Sequence, residues 1–181
     1  MKQIAVLGLG RFGSSVARSL TKMDAEVLGV DNDAEKVAEM VHDITHVVQA
    51  DVLDPDALDS IGLRNFDAVV LSIKDVETSC LATMALKDQG ARYVVAQAGS
   101  ETHAKILERI GADKVIMPEK DMGIRLARSL SSNNLIDYME LSAKHSLMEL
   151  EAIDEWVGRT LKQSNIRNRY KINVVAIRSG K

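Results

Sequence analysis

Short runs of β-branched and aliphatic residues alternate with helical periodicities through the first two-thirds of the 181-residue chain. The runs Gln3–Leu7, Glu26–Asp31, His46–Gln49, Ala68–Ser72, Tyr93–Gln97 and Lys114–Met117 predict strands. Several are apolar throughout, such as Ala68-Val69-Val70-Leu71, as a parallel sheet covered on both faces requires. Between them Arg11–Lys22, Ala34–Val41, Pro55–Ile61, Val76–Gln89 and Thr102–Ile110 read as helices. Asp54-Pro55 sets an N-cap before a first-turn proline, and Ser100 can cap the fifth helix. Gly90 and Gly111 stand where glycine closes a helix. Six strands alternating with helices predict an α/β fold, a Rossmann-like doubly wound parallel sheet. Its ligand would lie at the carboxyl ends of the strands, at the topological switch point.

The texture changes after Met117. Pro118 precedes a long helical pattern, Lys120–Ser131, and Asn133-Asn134 breaks it. Leu135–Leu141 predicts a second short helix, while Ser146–Ile153 and Lys171–Ile177 predict strands. The polar stretch Asp154–Arg169 contains a short helix candidate. The chain thus divides into a Rossmann-like lobe with a crossover helix, residues 1–134, and a linker helix with a small partial lobe, residues 135–181. The small lobe has too few elements to fold well alone, so a partner chain or further sequence is expected to complete it. Met122, Ile124, Leu126, Ala127 and Leu130 are followed closely by Leu135, Ile136, Tyr138, Met139 and Leu141. Two adjacent apolar segments predict a crossing helix pair shared by two subunits in an isologous contact.

Composition narrows the function classes. Apolar residues make up 46% and charged residues 27%, a balance that can bury a sizeable core. The net charge of −3 offers no overall positive field, so a nucleic-acid partner is not expected. Cys80 is the one cysteine, which excludes an intrachain disulfide and suits a reducing compartment. It falls within a helical pattern and reads as a buried thiol. No apolar run approaches a membrane span, and the N-terminus lacks the apolar core of a signal peptide. Any membrane role would therefore go through a partner.

The candidate chemistry begins at Gly8-Leu9-Gly10-Arg11-Phe12-Gly13, between the first strand and the first helix. In a phosphate loop the first glycine allows the tight turn, the second lets backbone approach a pyrophosphate, and the third lets helix pack on sheet. The alternative is a glycine-rich turn without a ligand. Asp31 ends the second strand, where a carboxylate can accept both hydroxyls of an adenosine ribose and repel a 2′-phosphate. Helix capping is the alternative, but Asn32 and Asp33 can already cap the next helix. Asp51, after the third strand, reads equally as an adenine contact or a turn residue. Arg11 stands in a first helical turn, where the dipole disfavours a cation. A further phosphate would explain it; a solvated arginine paired with an acid is the bland reading.

No catalytic constellation is visible. His42 and His46 flank a helix–strand turn and read as surface residues, and neither His103 nor His145 sits convincingly beside an acid at a strand end. A Tyr-x-x-x-Lys pair is absent, since Gln97, Ser142 and Val174 follow Tyr93, Tyr138 and Tyr170 at that spacing. An NAD-dependent oxidoreductase, or a methyltransferase, is the rival reading. Glu119 and Asp121 begin the long helix, where acids are expected from the dipole alone unless a nucleotide phosphate and a divalent cation lie nearby.

Taken together, the glycine loop, Val30-Asp31 and the stretch Ile110-Gly111-Ala112-Asp113-Lys114-Val115-Ile116-Met117-Pro118-Glu119-Lys120-Asp121-Met122-Gly123 strongly resemble the Ktr/Trk regulatory subunits. These are RCK proteins, regulators of K⁺ conductance, and the likeness points to the KtrA branch. It covers about residues 2–178, and its second stretch is far more specific than the glycines. The resemblance implies a non-enzymatic nucleotide sensor that dimerises and assembles into a ring, typically an octamer. Such a ring is cytoplasmic and peripheral, docked on a membrane K⁺-translocating subunit. ATP or ADP, or NAD(H) in some members, would be the ligand. Carried over, Gly8, Gly10, Phe12 and Gly13 hold phosphates and Arg11 reaches the γ-phosphate. Asp31 holds the ribose, and Asn32 beside it belongs to the nucleotide-binding set. Asp51, Val52, Ser72, Ile73 and Lys74 surround the adenosine, and Glu119 helps hold a divalent cation between subunits. Relatives carry a basic residue where this chain has Val95 or Ala96. The family's C-terminal lobe is longer than residues 135–181, so a cyclic di-AMP site is not expected here.

Overall fold

The computed structural model describes residues 1–131, 135–142 and 145–178. The chain forms two compact units, Met1–Pro118 and Glu119–Lys181. In the first, β1 (Gln3–Leu7), α1 (Arg11–Lys22), β2 (Glu26–Asp31), α2 (Ala34–Met40), β3 (His46–Gln49) and α3 (Pro55–Ile61) follow in order. They are succeeded by β4 (Ala68–Leu71), α4 (Val76–Asp88), β5 (Val94–Gln97), α5 (Glu101–Arg109) and β6 (Lys114–Ile116). The strands pair in parallel in the order β3-β2-β1-β4-β5-β6. The predicted six-stranded Rossmann-like sheet is therefore present, with every element end in this unit within two residues of expectation.

Two apolar layers explain why these runs become strands. One face of the sheet buries Leu7, Val30, Val69 and Leu71 with Leu58 of α3, Ala82 and Leu86 of α4, and Leu107 of α5. The other buries Val6, Val27 and Val70 with Ala17 of α1 and Met40 of α2. Alternate residues of one strand thus feed opposite layers, which is why β4 is apolar at every position and β1 from Ile4 onward. Order reverses between β1 and β4, which places the switch point beside the turn after Leu7.

Polar contacts fix the helix ends. Asp54 accepts from the Asp56 and Ala57 amides, and Ser100 Oγ accepts from the His103 amide, as expected of N-caps. Gly90 and Gly111 have φ of 79° and 108°, the left-handed conformation predicted for them. Asp113 accepts from the Val94 amide at 2.7 Å and from Lys87 Nζ at 2.9 Å, tying α4, β5 and the start of β6 together. The Val94 bond is the main reason its carboxyl lies below the usual carboxylate range. Cys80 is half-buried rather than buried, and its partial desolvation raises the thiol pKa.

In the second unit, α6 (Pro118–Ser131) matches the predicted long helix, and none of its residues is buried. The predicted helix at Leu135–Leu141 is instead a strand, β7 (Leu135–Ser142), antiparallel to β8 (His145–Leu150). The expected linker helix, and with it the crossing helix pair, is corrected accordingly. Lys171–Ile177 forms no strand, because no strand among the described residues pairs with it. Two short helices, α7 (Leu161–Ser164) and α8 (Ile166–Tyr170), occupy the polar stretch. Tyr170 packs edge-on against Trp156 at 5.4 Å, and its hydroxyl donates to Glu155. The break expected at Asn133-Asn134 lies outside the described residues.

His103 of α5 is 1% exposed. Its Nδ1 accepts the Gly99 N–H at 3.3 Å, so the neutral ring carries its proton on Nε2, which is buried without a partner. Burial pushes the imidazole pKa below its ordinary value, and the Asp75 charge opposes this more weakly. A protonated Nδ1 could no longer accept from Gly99. Below an unfolded-state pKa of about 6.5 the unfolded chain takes up a proton that the folded chain resists, so stability falls as pH falls. Melting temperature should decline between about pH 7 and pH 5. His103→Gln, which keeps an acceptor for Gly99, should remove that part of the slope; an unchanged slope in the variant would contradict this role.

Candidate functional site

The site grows from the turn between β1 and α1. Gly8 has φ of 91° and its N–H donates to Val30 O at 2.8 Å, which seats the turn against the end of β2. A Cβ at Gly8 would overlap Ser72 O, and one at Gly13 would overlap Gly8 O. Both glycines are thus demanded by close packing of turn, helix and β4. Gly10 is different. Its φ is −66°, and nothing lies within 4 Å of where a Cβ would stand. Neither conformation nor packing requires glycine here, and the space above it is open.

Helix α1 also starts unlike its neighbours. Asp33, Asp54, Asp75 and Ser100 cap α2 to α5, and Glu35, Asp56, Glu77 and Glu101 add first-turn acids. Helix α1 has Gly10 at its N-cap, no side-chain cap and no first-turn acid. Its first backbone bond runs from Ser14 N–H to Gly10 O, which leaves the amides of Arg11, Phe12 and Gly13 without intrahelical acceptors. Uncapped donors, an unopposed dipole and open space over Gly10 fit a bound phosphoryl group. Arg11 is exposed in this same turn and has no acidic partner among the described residues. Phe12 is half-buried beside it.

Asp31 is 6% exposed. Its Oδ2 accepts the Leu9 N–H at 2.7 Å, and its Oδ1 accepts the Asp33 N–H at 3.0 Å. The carboxylate therefore pins the glycine turn to the end of β2. Asn32 is exposed, and its carbonyl accepts from Gln49 Nε2 at 3.1 Å. Asp51 is exposed and its Oδ1 accepts the Leu53 N–H at 2.9 Å, which makes it a turn residue in this structure. Val52 is buried in the apolar layer with Val30 and Leu58. The N–H of Ser72 donates to Leu7 O at 2.7 Å, and its Oγ donates to Gln97 Oε1 at 2.9 Å. Ile73 is half-buried and Lys74 exposed.

The structure thus gathers Gly8, Gly10, Gly13, Asp31 and Ser72 at the carboxyl edge of β1, β2 and β4. Glu119 belongs to the second unit, exposed in the first turn of α6. Among the described residues no group of three His, Cys, Asp or Glu side chains could hold a metal ion. Sequence reasoning missed the contact of Asp31 with Leu9, the Gln97 partner of Ser72, and Lys36, whose ammonium lies 3.4 Å from Asp31 Oδ1. Lys36 could have been found by its place in the helical turn that follows Asp31.

The TrkA-N domain model matches residues 4–118. The Ktr system potassium uptake protein C of Bacillus subtilis (strain 168) is 42% identical over 181 residues, covering 99% of this chain and 82% of that protein. The Ktr system potassium uptake protein A of the same organism is 40% identical over 178 residues, covering 98% and 80%. In fold, the GsuK channel bound to NAD superposes with a TM-score of 0.72 at 15% identity, over 93% of this chain and 31% of that one. Among the described residues no helix is long and apolar enough to cross a membrane.

The two kinds of glycine should separate in thermal melts. Gly13→Ala forces a Cβ into the Gly8 carbonyl and should cost about 2 kcal/mol or more. Gly10→Ala meets open space and should cost less than about 1 kcal/mol. Equal losses for the two variants would contradict this division.

Proposed function

The chain belongs to the TrkA-N domain family and within it to the Ktr potassium-uptake proteins, and on that premise we propose that it is the nucleotide-sensing, non-enzymatic regulatory subunit of a potassium transporter. The observation that carries this reading is the open, uncapped start of α1 beside the buried Asp31 carboxylate. The amides of Arg11, Phe12 and Gly13 take the phosphates of ATP or ADP, with NAD(H) as the competing ligand. Asp31, with Asn32 beside it, receives the ribose hydroxyls. The adenosine lies among the loops at Asp51-Val52 and Ser72-Ile73-Lys74. Arg11 supplies charge for a phosphate beyond the pyrophosphate, which is where ATP and ADP differ.

A sensor needs a second state and something to move. A ligand shifts an equilibrium only through its different affinity for two states, and a terminal phosphate on Arg11 is such a difference. We place the moving contact between copies of the chain. Helix α6 exposes Met122, Ile124, Leu126 and Leu130, and the β7–β8 pair exposes Ile136, Met139, Leu147 and Met148. Apolar surfaces of this kind favour burial against a second copy. The assembly would be a dimer that builds a ring, octameric by family resemblance, peripheral at the cytoplasmic face of the membrane on a K⁺-translocating subunit. Glu119 would contribute to a cation site only where copies meet.

Arg11→Ala should lower the preference for ATP over ADP while leaving ADP affinity within a few-fold, as read by calorimetry. An unchanged ATP to ADP ratio would return Arg11 to a solvated surface role. Sedimentation at micromolar concentration should give a dimer or larger species; a 19.8 kDa monomer with and without nucleotide would contradict the assembly and the gating built on it.

A further inference from the structure

Lys36 is the third residue of α2, in its first turn, where a cation faces the positive end of the helix dipole. Its ammonium lies 3.4 Å from Asp31 Oδ1 and 3.6 Å from Asp33 Oδ2. Both distances exceed the roughly 2.7–2.9 Å of a tight charge-assisted bond. The side chain is 42% exposed. Lys36 thus donates a long hydrogen bond to Asp31 and is drawn by charge towards Asp33, from a partly exposed position.

The bonds around Asp31 define what can still approach it. Oδ2 has one lone pair on the Leu9 amide, and Oδ1 has one on the Asp33 amide with Lys36 Nζ at hand. Asp33 Oδ1 accepts the Glu35 N–H, and its Oδ2 is the oxygen that lies near the lysine. A group arriving at Asp31 therefore meets an obligate acceptor and an obligate donor at one place. A hydroxyl, which both donates and accepts, satisfies the two together.

We propose that Lys36 pairs with Asp31 to grip a ribose hydroxyl and is a specificity-determining residue for ribose over 2′-deoxyribose. The hydroxyl donates to Asp31 while its oxygen accepts from Lys36. This inference rests on the nucleotide reading above and adds to it the selection of the sugar. A lysine that only neutralises Asp31 would affect ribo- and deoxyribonucleotides alike.

Calorimetric titration of the full chain with ADP and with 2′-deoxy-ADP tests this. Wild type should prefer ADP by about tenfold or more, the worth of a charge-assisted hydrogen bond. Lys36→Met should cut that preference to below about threefold, chiefly by weakening ADP. Lys36→Arg, which keeps a donor, should retain more of it than the methionine variant does. An unchanged ratio in Lys36→Met, or an equal loss for both nucleotides, would overturn the proposal. If wild type binds both nucleotides equally, the sugar selection falls and the nucleotide site stands. If wild type binds neither, the nucleotide reading falls and this inference with it.

Discussion

At the end of β2 a carboxylate is taken out of water and given to the backbone of the neighbouring turn. Asp31 accepts from the Leu9 amide at 2.7 Å while only 6% exposed. A buried carboxylate without partners would cost several kcal/mol, so the bond is tied to the fold's stability as well as to its chemistry. It fixes Leu9, and the adjoining Gly8 is fixed by its own bond to Val30 O. Two strands therefore position the turn, and Ser72, just after β4, closes it from the other side through its carbonyl oxygen against Gly8. The amides of Arg11, Phe12 and Gly13 follow directly on a turn whose Gly8 and Leu9 are both hydrogen-bonded to β2.

The other helix starts of the first unit are filled, and that of α1 is left open. Four of the unit's helices begin with an oxygen cap and an acid, which satisfy their own amides and dipoles. Only α1 among these five begins without either. The switch from α1–α2 on one face to α3–α5 on the other puts that helix start at the reversal of strand order. Function in this reading is the absence of a cap at the one position where the sheet topology makes a crevice.

The first unit could be read from the sequence because its central strands are buried on both faces and announce themselves as nearly unbroken apolar runs, Ile4–Leu7 and Ala68–Leu71. Residues 135–141 could not. Leu135, Ile136, Tyr138, Met139 and Leu141 satisfy a helical spacing, and only pairing with His145–Leu150 makes them a strand. Conversely, Val174, Val175 and Ile177 have strong strand preference, yet a strand needs a partner ladder and none among the described residues supplies it. At the site, the glycine spacing and Asp31 were visible as a motif. The motif also separated the turn and packing glycines Gly8 and Gly13 from Gly10, over which the space is open, but it did not reveal that Asp31 holds Leu9. That contact depends on which backbone atoms the third dimension brings close. His103 and Gln97 were unreadable for the same reason, since their partners are a loop amide and a serine just beyond another strand.

Backbone amide chemical shifts offer the shortest path to the site itself. Uniformly ¹⁵N-labelled protein titrated with ADP should shift the Arg11, Phe12 and Gly13 amides strongly and the Leu9 amide less, because Leu9 already donates to Asp31. The capped first-turn amides of α2 to α5 should not show comparable shifts. Saturating ADP that leaves the Arg11–Gly13 amides unmoved, or that moves the capped helix starts equally, would contradict the assignment of this helix terminus as the nucleotide sensor.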